Sequence, residues 1–185
     1  MQEDIDQKAR DSARQTIAPI RSALYDFDAK ALSAAIRAAF APAPIIQLAY
    51  PFERLSGADD FFESALSPLA HAFASFERRD AIVMAGAAED AAIWVGCCGY
   101  YTGAFTKPFL DIPPTGQFAT VRFHEFYRLD GDQIVEVQAL WDIPELMHQA
   151  GAWPMTPQLG AQFYAQAPST QDGLAIVNRN GDHAQ

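Results

Sequence analysis

Two runs of β-branched and aromatic residues, Phe118–Leu129 and Gln133–Trp141, are joined by Asp130-Gly131-Asp132, and this stretch constrains the fold more than any other. Gly and Asp tolerate the positive φ of a tight turn, so the two runs are expected to pair as an antiparallel hairpin. Asp80–Ala88 and Ala92–Phe105 carry the same texture and are expected to be further antiparallel strands. The chain ahead of them reads differently. Ile17, Ile20, Leu24, Phe27, Leu32, Ile36 and Phe40 recur at helical spacing, which predicts a helix from near Thr16, with Pro19 in its first turn, and a second helix beyond Asp26 and Asp28. Pro42 and Pro44 end that run, and Ile45–Tyr50 is expected to be a short strand closed by Pro51.

A second helical region is expected to start at Ser56 and restart at Ser67-Pro68, with Phe73 and Phe76 continuing its buried stripe. After the last strand, Asp142 is expected to cap a helix with Pro144 in its first turn and Glu145 as capping-box partner. Helices first and antiparallel strands afterwards define an α+β domain whose sheet curls around the helices. Residues 1–151 are read as that domain. Residues 152–185 are read as a polar C-terminal appendage, with a short helix expected over Pro157–Gln166.

The chain of 185 residues is half hydrophobic, enough for a packed interior. A net charge of −10 disfavours phosphate backbones and anionic membranes as partners. The polar start, the absence of a long apolar window, and adjacent Cys97 and Cys98 that cannot readily bridge each other point to the cytoplasm. The four histidines are scattered and no Cys or His motif has ligand spacing, so neither metal nor cofactor is expected.

At this point the chain resembles the SnoaL-like polyketide cyclase (ester cyclase) group of the nuclear transport factor 2-like superfamily. The resemblance rests on Tyr50-Pro51, Trp94-Val95, Gly103-Ala104-Phe105, Ile112-Pro113-Pro114-Thr115-Gly116, Arg122–Arg128, Asp130-Gly131, Ile134-Val135-Glu136 and Asp142, ending at Gln149-Ala150-Gly151. It implies a cone-shaped, barrel-like domain in which a strongly curved antiparallel sheet wraps the N-terminal helices around an apolar pocket. It implies dimers through the outer sheet face, where exposed Phe, Tyr and Leu would otherwise meet water. It also implies cofactor-free general acid/base chemistry, of the aldol-cyclisation type, on a hydrophobic oxygenated small molecule. Such chemistry needs one positioned proton carrier and a pocket that folds the substrate.

Strand register decides the proton carrier, because a one-residue slip exchanges the two faces of a strand. A three-residue hairpin loop puts Val121, Phe123, Glu125 and Tyr127 with Val135, Val137, Ala139 and Trp141. Glu125 would then be a lone carboxyl among apolar groups, its pKa raised by desolvation. A two-residue loop would instead turn His124 inward. The first register buries fewer charges and is preferred. Trp94, Tyr101, Phe123, Val137 and Trp141 are the candidate pocket walls, with Tyr25 and Tyr50 at the mouth. If Glu125 carries the proton in this way, Glu125→Gln should lower turnover by ~10²–10⁴-fold without loss of stability. A non-catalytic ligand-binding or dimerisation module of the same fold is the alternative reading.

Overall fold

The computed structural model describes residues 2–156, 166–168 and 170, with side chains from Gln7 onward. The helix expected over Pro157–Gln166 falls outside these residues, apart from Gln166. The first helix, α1, spans Gln2–Tyr25 and begins well before Thr16, so Pro19 lies in its interior. Its buried stripe of Ala13, Ile17, Ile20 and Leu24 explains the longer element, since packing outweighs the loss of one backbone hydrogen bond at proline. Helix α2, Ala29–Ala39, is capped by Asp28, whose side chain accepts from the Lys30 and Ala31 amides, and it buries Leu32 and Ile36.

Strand β1, Phe40–Leu48, includes Pro42 and Pro44. They fit because they fall in the register break between the pairs Phe40–Ile134 and Ile45–Glu136, where β1 makes no regular ladder with its neighbour. A short β2, Arg54–Leu55, pairs with β1. Helix α3, Ala58–Asp60, follows Gly57; Ser56 does not cap it by its side chain, and its amide instead donates to the Asp60 carboxylate. A π-helical turn, Phe61–Leu66, leads into α4, Ser67–Ala72, with Pro68 in the first turn as expected. Phe73 and Phe76 are buried but belong to the next strand rather than to the helix.

Four long strands complete the sheet: β3, Phe73–Ala87; β4, Ile93–Phe105; β5, Phe118–Asp130; and β6, Gln133–Trp141. The order is β2-β1-β6-β5-β4-β3, antiparallel except for β1 against β6. The sheet is curved and does not close, so the barrel-like expectation becomes an open α+β sheet. Strand β3 departs from regular pairing twice, between Ala74 and Glu77 and between Asp80 and Ile82. Helix α5, Ile143–Gln149, is capped by Asp142 as expected. Glu145 does not return the bond to the cap amide, which donates to the Arg122 carbonyl instead.

The hairpin contains both registers considered for it. Asp130 pairs with Gln133, so the loop is the two-residue kind, with Gly131 at φ +60°. Leu129 then pairs with Ile134 but Arg128 with Glu136, which leaves Val135 as an extra residue in β6. That bulge restores the face expected from a three-residue loop: Phe123, Glu125 and Tyr127 lie opposite Trp141, Ala139 and Val137. Gly99 is demanded by close approach rather than by φ, since a Cβ there would sit 2.0 Å from the Arg79 carbonyl oxygen. Gly99→Ala should therefore destabilise the fold by roughly 3 kcal/mol through forced separation of β3 and β4, measured by chemical denaturation. Gly131→Ala, with open space around it, should lose only about 1–2 kcal/mol.

Candidate functional site

Glu125 is fully buried at the centre of the concave face. It is not alone there. Its Oε1 accepts from the Tyr101 hydroxyl at 2.6 Å and the Trp141 indole N–H at 2.9 Å. Its Oε2 accepts from Arg78 Nη1 at 2.7 Å and the Tyr127 hydroxyl at 2.6 Å. Four donors for two oxygens occupy the acceptor capacity of an ionised carboxylate. Each comes from a neighbouring strand position: Arg78 and Tyr101 are register partners on β3 and β4, Tyr127 is two residues along β5, and Trp141 is on β6.

Arg78 has no side-chain exposure and is held from three sides. Its Nε donates to Asp80 at 3.0 Å, Nη1 reaches both Tyr101 and Glu125, and its Cζ lies 4.1 Å from the Phe123 ring centroid. Asp80 in turn accepts from Arg21 of α1 at 2.9 Å. A chain of charges thus runs Arg21, Asp80, Arg78, Glu125 from the helix to the middle of the sheet.

The electrostatic consequence corrects the sequence reading. Burial alone would raise the Glu125 pKa, but the Arg78 charge and the hydrogen bonds from Tyr101, Tyr127 and Arg78 outweigh it and hold the carboxyl below its ordinary value. Glu125 is a fixed anion rather than a lone carboxyl poised near neutrality. Burial, reinforced by the neighbouring anion, pushes both tyrosine hydroxyls well above their ordinary value, so they stay protonated as donors.

The other residues singled out from sequence divide by face. Phe123 and Val137 are buried beside the cluster, together with Tyr101 and Trp141. Phe52, half-buried, packs edge-on against Trp141 at 5.4 Å and leads from the surface toward it. His124 is on the opposite, outer face, with Nε2 3.9 Å from Cys98 Sγ, in a shallow depression shared with Gln47, Phe126, Gln138 and Leu140. Trp94 has the same outward parity on β4, opposite Arg128. Tyr50 is 82% exposed on the loop after β1. Tyr25 lies at the end of α1 beside Arg79, away from Glu125. Burial raises the thiol pKa of both cysteines, that of Cys97 to about 12, so neither is poised as a thiolate. Arg128 Nε and Glu136 Oε2 form an ion pair at 2.8 Å. Among the described residues, no group of three or more His, Cys, Asp or Glu could hold a metal ion, and no helix is long and apolar enough to cross a membrane.

Sequence reasoning missed Arg78, Asp80 and the donor role of Tyr127. One signal was present: Phe76, Arg78 and Asp80 alternate, and a charged pair repeating with the period of a strand places both on one face.

Comparison with known proteins places the chain in a family. A SnoaL-like polyketide cyclase profile matches residues 33–150, and the chain belongs to that family. The fold is similar to that of the candidate hydroxylase AclR from Streptomyces galilaeus, at 18% identity and a TM-score of 0.63 over 81% of this chain and 91% of that one. It is also similar to a candidate SnoaL-like polyketide cyclase from Jannaschia sp. CCS1, at 20% identity and a TM-score of 0.61 over 79% and 95% of the two chains. A protein from Catenulispora acidiphila with a ketosteroid isomerase-like fold, solved with trimethylamine, matches at 16% identity and a TM-score of 0.53 over 77% and 98%. No curated protein matches the chain in sequence.

Removing one member of a buried ion pair leaves the other uncompensated. Glu125→Gln should therefore lower stability by about 3–5 kcal/mol, contrary to the expectation for a lone neutral carboxyl. Because the folded pKa lies below the unfolded value near about 4.3, the stabilisation from Glu125 is complete above that pH and lost as pH falls below it. Acid titration of the melting temperature should show this slope in the wild type and a weaker one in Glu125→Gln.

Proposed function

We propose that the protein is a cofactor-independent acid/base enzyme that acts on a hydrophobic oxygenated small molecule, with an aldol-type ring closure as the reaction. The observation that carries this reading is the cluster of Glu125, Arg78, Tyr101 and Tyr127 inside an aromatic interior. Ionic groups in a core are seldom favoured over apolar packing on stability grounds alone, and strongly perturbed groups concentrate at functional sites.

The weakest link of the cluster is the Trp141 indole, a neutral donor at the longest of the four distances. Substrate entering past Phe52 displaces that contact and frees an Oε1 lone pair. Glu125 then removes a proton from a carbon flanked by two carbonyls; the C–H electrons move onto a carbonyl oxygen, where the Arg78 charge stabilises the enolate. The enolate carbon bonds to a third carbonyl elsewhere in the same molecule, whose C=O π electrons move onto its oxygen, and the resulting alkoxide takes the proton back from Glu125. Nothing is consumed, and Trp141 returns to the carboxylate.

The test is proton exchange at C2 of 1-phenyl-1,3-butanedione in deuterium oxide, followed by NMR. Trp141→Phe should retain exchange and move the acidic limb of its pH profile upward, because a carboxylate with one donor fewer is easier to protonate. Glu125→Gln, assayed below its melting temperature, should lose roughly 10²–10⁴-fold. Equal exchange by wild type and Glu125→Gln, or none above background, would leave the alternative of a ligand-binding module, which the saturated acceptor capacity of Glu125 supports.

The same proposal includes a homodimer through the outer face of the sheet, where Met84, Phe126, Leu140 and Ile45 are all exposed. Light scattering should give twice the chain mass, and Phe126→Arg with Leu140→Glu should return it to one; a monomeric wild type at micromolar concentration removes the claim. A reducing cytoplasm suits the two free thiols, Cys97 and Cys98.

A further inference from the structure

The cleft between α1 and β3 touches the reaction proposed above only through Arg78. Ala18, Arg21, Ser22 and Tyr25 project from one face of α1, at the spacing of successive helical turns, and Arg78, Arg79 and Asp80 complete the walls. The cleft is open to the surface and offers about 460 Å³, enough for a small organic molecule. Three of its seven lining residues are arginines and one is acidic, in a chain of net charge −10.

The local pairing leaves hydrogen-bonding capacity unused. The Asp80 carboxylate is shared between Arg21 and Arg78, at 2.9 and 3.0 Å. Arg79 reaches Glu77 and lies against Tyr25, its Nη1 3.3 Å from the hydroxyl and its Cζ 4.9 Å from the ring centroid. Arg78 is only 1% exposed, yet among the described residues its Nη2 has no hydrogen-bond partner. A buried N–H without an acceptor is unfavourable, more so on a charged group. Because Arg78 lines the cleft, an oxygen bound there is a candidate for that missing partner.

We propose that this cleft binds a small monocarboxylate, whose two oxygens meet the arginine walls and whose apolar body lies along Ala18 and the Tyr25 ring. Guanidinium forks match the planar carboxylate geometrically. The overall negative charge of the chain disfavours phosphate and longer polyanions. The site shares Arg78 with the proposed reaction but uses no proton transfer at Glu125, so benzoate binding and deuterium exchange are read separately and either can fail alone.

Benzoate is the probe, with benzamide as its neutral counterpart and inorganic phosphate as the competing anion, each titrated into the full chain by NMR with observation of arginine side-chain resonances. Benzoate should bind in the millimolar range and shift the Arg78 guanidinium signals. Arg79→Ala should weaken binding by roughly tenfold, and Ala18→Trp, which fills the cleft while keeping every charge, should abolish it with the melting temperature held. The proposal is overturned if benzoate leaves the guanidinium signals unmoved at tens of millimolar, if benzamide or phosphate binds as well, or if both variants bind benzoate like the wild type.

Discussion

The contact between Arg78 and Glu125 organises the middle of this protein. Each ion would be strongly unfavourable in the interior by itself, and each becomes tolerable because the other is 2.7 Å away and the remaining hydrogen-bonding positions of the carboxylate are filled. The requirement is geometric as much as electrostatic. Four strands must hold Arg78, Tyr101, Tyr127 and Trp141 on the same side of the sheet at once. A one-residue register error in β3–β6 turns at least one donor outward, so the network discriminates against such misaligned sheets as well as stabilising the aligned one.

That dependence explains why sequence reading reached some features and not others. The strand Gln133–Trp141 and the cap at Asp142 were legible because a turn signal and a capping residue are local. The inward face of Glu125 was legible for a different reason: burying it leaves fewer charges inside than burying His124 with Arg122 and Arg128. The route to that face was not legible, since nothing in Ile134-Val135-Glu136 marks Val135 as the extra residue; the bulge follows from reconciling a two-residue turn with an apolar interior.

The state of Glu125 was illegible for a reason of distance. Arg78 is 47 residues away in the chain, and its meeting with Glu125 is made by β4 lying between their strands. A carboxyl in an apolar strand reads as desolvated until its counter-ion is known, and the sign of the pKa shift reverses when it is. Likewise Pro19 and Phe73 looked like helix-start and helix-face residues by local rules, and tertiary packing assigned them otherwise.

Strand β3 ends the sheet, and its two irregularities bear on behaviour in a crowded solution. A flat run of fifteen residues with unpaired amides and carbonyls would be a template for another molecule's strand. The breaks after Ala74 and after Asp80 divide that edge into short lengths with different twist, and Glu77 and Arg79 place charges between them. An incoming strand would keep register over only a few residues before meeting a kink. The two breaks that flank the paired segment carrying Arg78 and Asp80 thus make the open margin a poor seed for fibrillar growth.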